Sequence, residues 1–255
     1  MNAFQDKVVL ITGGTRGIGL ATARRFLEEG ASVAIVGRSQ ASLTSAIASL
    51  EGRAQGCVAD VAAVEGCRAA VAAALRSFGR LDVVFTCAGS YEAAPIGEVT
   101  EELWDRTMDP HAKGTFFCVQ EAAPALRETQ GCVITMASDA GLLGLRGGWA
   151  AYCAAMGAVV NLTRQLAIDL APEIRVNGLA PSAVGTEHLY ADLKGGVYGG
   201  LETAADPIQA VADSVPLKRI IEPGEIADAV LFLAGAKSMT GSILSIDAGS
   251  TIALQ

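Results

Sequence analysis

The chain reads as an α/β fold, a parallel sheet with helices on both faces. Three observations predict it. Short apolar runs alternate with longer helical segments along all 255 residues. The runs are apolar at successive positions, as in strands buried on both faces. No linker is long enough to split the chain, so one domain is expected over 1–255.

The elements follow in order. Residues 7–12 (Lys-Val-Val-Leu-Ile-Thr) read as a buried strand. Residues 17–29 read as a helix, with Gly30 as its stop. Residues 32–36 form a second strand, 40–50 a helix, and 54–59 a third strand. A helix over 64–78 stops at Gly79, and 81–86 is a fourth strand. A long helix is expected from about 101 to 128, bent or broken by Pro110 and Pro124. Residues 131–137 read as a strand, 149–170 as a long helix, and 174–179 as a sixth strand. Residues 182–214, which include Gly195, Gly196, Gly199 and Gly200, read as irregular. A long loop of that kind is usually a lid. A short helix over 225–234 and a last strand over 242–246 complete the pattern.

Composition narrows the function classes. The hydrophobic fraction is 51%, the charged fraction 18% and the net charge −8. Disorder is excluded by the high apolar content. The acidic balance argues against nucleic acid as a partner. The six cysteines form no CxxC pair, and no His or Cys cluster has zinc spacing, so no metal site is expected. They are read as buried thiols of a cytoplasmic protein. No signal peptide is evident. The longest uncharged stretch, 147–163, is too short to span a membrane.

The first strand runs into Gly13-Gly-Thr-Arg-Gly17-Ile-Gly19 and then into a helix. Glycines permit a tight turn and close approach by a pyrophosphate. The helix N-terminus supplies free N–H groups and the positive end of its dipole. The context of strand, glycine turn and helix makes the signal specific.

These residues resemble the phosphate loop TGxxxGIG of the classical short-chain dehydrogenase/reductase family, matched by Thr12 to Gly19. The resemblance extends over essentially the whole chain. It implies a single doubly wound Rossmann-type domain with a seven-stranded parallel sheet. It implies cofactor contacts at Gly13, Thr15, Arg16, Gly17, Ile18 and Gly19 in the loop. Further contacts are implied at Asp60 and Val61 near the adenine, at Ala88 and Gly89 of Cys87-Ala-Gly89, and at Pro181 and Thr186 near the nicotinamide half. Ser138 and Tyr152 match the family's catalytic serine and tyrosine.

Users of NAD usually place a carboxylate after the second strand to hold the ribose 2′-hydroxyl. This chain has Gly37-Arg38-Ser39 there. Arg16 and Arg38 can converge on a 2′-phosphate, a role that suits the guanidinium fork. NADP(H) is therefore expected over NAD(H), with Arg38 and Ser39 among the contacts.

The catalytic set departs from the family at two positions. Met156 stands where the family has lysine, four residues after the tyrosine, and His111 stands where it has asparagine. An unperturbed tyrosine titrates near pKa ~10, so about one in a thousand is phenolate at pH 7. A thioether has no charge to shift that balance. Oxidation of an alcohol, which needs the phenolate, should suffer more than reduction of a carbonyl, which needs the neutral phenol. His111 could take over part of the proton relay, or could be a tolerated polar residue. Three functions stay open: an NADPH-dependent carbonyl reductase with an altered proton relay, a catalytically impaired cofactor-binding protein, and a non-redox lyase or isomerase. The resemblance also implies a small-molecule substrate and a homotetramer or homodimer built on the helices over 101–128 and 149–170. Residues 182–214, 141–149 and 91–96 are expected to shape the substrate pocket.

Overall fold

The computed structural model describes residues 3–195 and 204–253. Seven parallel strands form one sheet in the order β3-β2-β1-β4-β5-β6-β7. They are β1 (Val8–Thr12), β2 (Ser32–Gly37), β3 (Ala54–Val58), β4 (Val83–Thr86), β5 (Cys132–Met136), β6 (Arg175–Pro181) and β7 (Ile243–Ile246). β1 pairs with β2 from Val8 opposite Ser32 and with β4 from Val9 opposite Val83.

Successive strand residues point to opposite faces, and the chain fills both with apolar side chains. Val9 and Ile11 of β1 pack in a core with α1 (Gly17–Glu28), α2 (Gln40–Ser49) and α9 (Pro223–Gly235). Val8 and Leu10 pack in a second core with α3 (Val64–Phe78), α5 (Gly114–Thr129) and α6 (Ala150–Leu170). This explains the continuous apolar runs. Gly79 ends α3 in a left-handed conformation, φ +73°, which glycine adopts without steric cost.

Two sequence expectations are corrected. The segment 101–128 is not one bent helix. α4 (Glu101–Met108) leads into a π turn (Asp109–Lys113), and α5 follows. Pro110 sits in the widened turn, where one lost N–H is accommodated. Pro124 lies inside α5 without breaking it. The stretch 182–214 is not irregular throughout. It holds α7 (Glu187–Lys194) and α8 (Pro207–Asp213), capped by Thr186 and Asp206 side chains. Gly195 closes α7, whereas Gly196, Gly199 and Gly200 lie outside the described residues. A short helix α10 (Ser250–Ala253) follows β7.

No helix among the described residues is long and apolar enough to cross a membrane. No group of three His, Cys, Asp or Glu side chains among them could hold a metal ion. All six cysteines are free.

Candidate active site

Sheet order reverses at β1, with β2 on one side and β4 on the other, so a crevice opens beyond their C-terminal ends. A cavity of about 490 Å³ lies there, and the loop from Gly13 to Gly19 forms one wall. Thr12 Oγ1 ties this loop to the strand beside it by accepting from the Cys87 and Ala88 N–H groups, each at 3.1 Å. Gly13 has φ +68°, and a Cβ there would lie 2.8 Å from Ala88 Cα. A Cβ on Gly19 would lie 2.4 Å from the Gly13 carbonyl oxygen. The glycines thus let the loop close on itself. α1 has neither a side-chain cap nor an acidic residue in its first turn. Its N–H groups and dipole end are left for an anion.

The other cavity walls gather most of the expected cofactor contacts. Thr15, Arg16, Gly17, Ile18, Arg38, Ser39, Asp60, Val61, Ala88 and Gly89 all line the cavity. Arg16 and Arg38 are exposed, and neither forms an ion pair among the described residues. Ser39 also caps α2. Thr186, the N-cap of α7, reaches the loop, its Cγ2 3.0 Å from where a Gly17 Cβ would stand. Pro181 is not on the cavity wall. It is buried at the end of β6, where its carbonyl oxygen lies 3.3 Å from Ser138 Oγ. Cys87 is an inert neighbour, since burial pushes its thiol up to about 12.

Of the expected catalytic residues, Tyr152 and His111 are brought together, and Ser138 precedes a turn that packs on the helix carrying Tyr152. Ser138 follows β5 and caps the 3₁₀ turn at Asp139–Gly141. Tyr152 lies in the first turn of α6, half-buried among rings. Its ring centroid is 6.1 Å from Trp149, 6.1 Å from Tyr91 and 5.8 Å from His111. Met156, one turn on, is 1% exposed and packs with Ala137, Ala140 and Val160. The place of a charged side chain is therefore filled by core.

His111 sits in the π turn and is buried. Its Nε2 lies 2.8 Å from the Ser90 carbonyl oxygen. Burial lowers its pKa, against the pull of that hydrogen bond. The imidazole is thus neutral near pH 7, with Nε2–H as donor and Nδ1 as acceptor, a tautomer assigned from the carbonyl partner.

Arg106 and Asp139 were not singled out in the sequence, nor was the ring cluster that the expected pocket segments form. Tyr91 and Trp149 pack against Tyr152, and His188 lies against Tyr91, 4.8 Å between centroids. They come from 91–96, 141–149 and 182–214, the segments expected to shape a pocket, and the Ala94 N–H donates to the Gly148 carbonyl at 2.9 Å. Arg106, paired with Glu92 at 2.8 Å, lines the cavity. Asp139, next to Ser138, is buried and bonded to it. Its place in Met136-Ala-Ser-Asp-Ala-Gly141 was the available signal.

Comparison with known proteins agrees with this geometry. A family model described as Enoyl-(Acyl carrier protein) reductase matches residues 13–251. The chain is 37% identical to a meso-2,3-butanediol dehydrogenase of Serratia marcescens, over 97% of this chain and 96% of that protein. A variant actinorhodin polyketide ketoreductase solved with NADPH superposes with a TM-score of 0.90, at 29% identity and coverage of 96% and 97%. An NAD⁺-bound xylitol dehydrogenase superposes with a TM-score of 0.88, at 33% identity and coverage of 96% and 99%. The glycine loop, the sheet order and these full-length similarities together establish that the chain belongs to the short-chain dehydrogenase/reductase family, NAD(P)-dependent oxidoreductases acting on CH–OH and C=O groups.

Proposed function

We propose that the chain is an NADPH-dependent carbonyl reductase with an altered proton relay, and that buried Met156, one turn from Tyr152, is the observation that carries this reading. With the thioether of Met156 where the family has a lysine, Tyr152 serves as an acid rather than a base. Ser138 holds the substrate oxygen, and neutral His111 stands against Tyr152 as a second group on the proton path. When bound, the reduced nicotinamide supplies the hydride. The glycine loop and the α1 N-terminus hold the pyrophosphate. Arg16, Arg38 and Ser39 hold the 2′-phosphate, and Asp60 and Val61 the adenine side. Ala88, Gly89 and Thr186 hold the remainder, and Pro181 acts only through the end of β6 that it closes. Relatives named as dehydrogenases and a short-chain reductase favour an oxidoreductase over a non-catalytic binder or a lyase. Residues 182–214 act as the lid of a small-molecule pocket. Exposed Trp104, Phe116 and Ile168 on α4, α5 and α6 support assembly as a homotetramer or homodimer.

Calorimetry should give tighter binding of NADPH than of NADH. Arg38→Ala should weaken NADPH about 10- to 100-fold, the loss of a charge-assisted contact, and leave NADH unchanged. Carbonyl turnover should be lost in Tyr152→Phe. Tighter NADH binding, or no hydride transfer with any carbonyl, overturns the proposal. Activity that appears only in Met156→Lys with His111→Asn would point to a relic site instead.

A further inference from the structure

Asp139 makes contacts that the proposed reaction does not yet use. Ser138 Oγ donates to Asp139 Oδ1 at 3.0 Å and lies 3.3 Å from the Pro181 carbonyl. Ser250 Oγ, on α10, donates to Asp139 Oδ2 at 2.8 Å. The carboxyl is 6% exposed and has no ion-pair partner among the described residues. The charged or titratable groups nearest this turn are Asp247, before α10, and Tyr152 and Cys153 in the first turn of α6. Of the cations on the elements packed against it, Arg164 lies beyond Met156 toward the C-terminal end of α6, and Arg175 begins β6 and is bonded to the Leu233, Ala234 and Ala236 carbonyls.

A serine hydroxyl has one proton to give. An ionised carboxylate only accepts. It takes the Ser138 proton in a charge-assisted bond, and the substrate oxygen goes without. A protonated carboxyl can donate to Ser138 Oγ instead, and the serine proton is then free to point elsewhere. Burial raises the pKa of Asp139 above the ordinary aspartate range, against the opposing hydrogen bonds from Ser250, Ser138 and the Ala140 N–H, while the nearby Asp247 charge adds to the rise.

We propose that Asp139 is a positioning residue that sets the donor direction of Ser138: its protonated form releases the serine hydroxyl to a substrate carbonyl oxygen, and its ionised form withdraws it. The proposal rests on the reading of Ser138 as the group that holds the substrate oxygen. Asp139 keeps its own proton throughout, so the stoichiometry of carbonyl reduction is unchanged.

The test measures kcat for carbonyl reduction from pH 4.5 to 9 in wild type, Asp139→Asn and Ser250→Ala. In parallel, the carboxyl C=O stretch of the cofactor-free protein is followed by infrared spectroscopy. Wild-type kcat should fall several-fold as pH rises through the carboxyl titration. Asp139→Asn, whose neutral amide holds the serine proton less strongly, should lack this limb. It should match wild type on the acid side of that titration and exceed it several-fold on the alkaline side, which a merely structural aspartate would not produce. Ser250→Ala removes a donor to the charged form, so the limb should move to higher pH. An infrared band absent from Asp139→Asn should disappear over the same range in wild type. The proposal is overturned if Asp139→Asn equals or falls below wild type at every pH. It is also overturned if the band titrates at or below an ordinary aspartate. If Asp139→Asn does not fold, the wild-type titration and the Ser250→Ala shift decide. Unchanged turnover in Ser138→Ala would instead defeat the underlying reading of the serine, whatever Asp139 does.

Discussion

Gly89 shows how tightly single residues are fixed at the catalytic end. A Cβ on Gly89 would fall 1.9 Å from His111 Cε1. The imidazole cannot yield freely, because it is buried and bonded to the Ser90 carbonyl. Gly89→Ala should therefore displace His111 and lower stability by about 1–3 kcal/mol. Urea denaturation should show that loss, and carbonyl turnover should drop more than tenfold. The glycine loop was legible in sequence because its requirement is local, a turn that admits no Cβ. The surroundings of His111 and Asp139 were not. Their partners come from afar in the chain, Ser90 being 21 residues from His111 and Ser250 being 111 from Asp139.

The strands were legible to within one or two residues, because burial on both faces leaves continuous apolar runs in β1, β2, β4, β5 and β6, while the more exposed β3 and β7 were placed by the alternation with helices. The failures have specific causes. Pro110 signals a defect in a helix but not its form, and here the chain widens to a π turn rather than breaking. In 182–214 the eye follows glycines and misses two N-caps. Thr186 accepts from the Leu189 N–H at 3.2 Å, and Asp206 accepts from the Ile208 and Gln209 N–H groups at 3.1 Å. The turn between β1 and α1 yields a prediction at this scale. A Gly19→Ala Cβ meets the Gly13 carbonyl oxygen, which is backbone and cannot rotate away. NADPH affinity should fall at least tenfold by calorimetry, because the loop must open before the α1 N-terminus can meet a phosphate.

Across the whole molecule, burial couples stability to alkaline pH. Cys132 is 1% exposed at the start of β5, and loss of hydration pushes its thiol up to about 11. The unfolded thiol ionises near its ordinary value of 9.0. Stability is therefore complete below pH 9 and declines as pH rises toward 11, by about 1.4 kcal/mol per pH unit. Urea midpoints at pH 8 and 10 should differ less in Cys132→Ala than in wild type. An equal difference in both would remove Cys132 from the account. The crevice above β1 has a mechanical consequence as well. Its walls are borrowed from both wings of the sheet, Arg38 and Asp60 from one, Ala88 and Thr186 from the other. A dinucleotide lying across them acts as a rivet. At a hundredfold excess over its dissociation constant it adds about 2.7 kcal/mol against unfolding, so capture of coenzyme and cohesion of the two wings are one equilibrium.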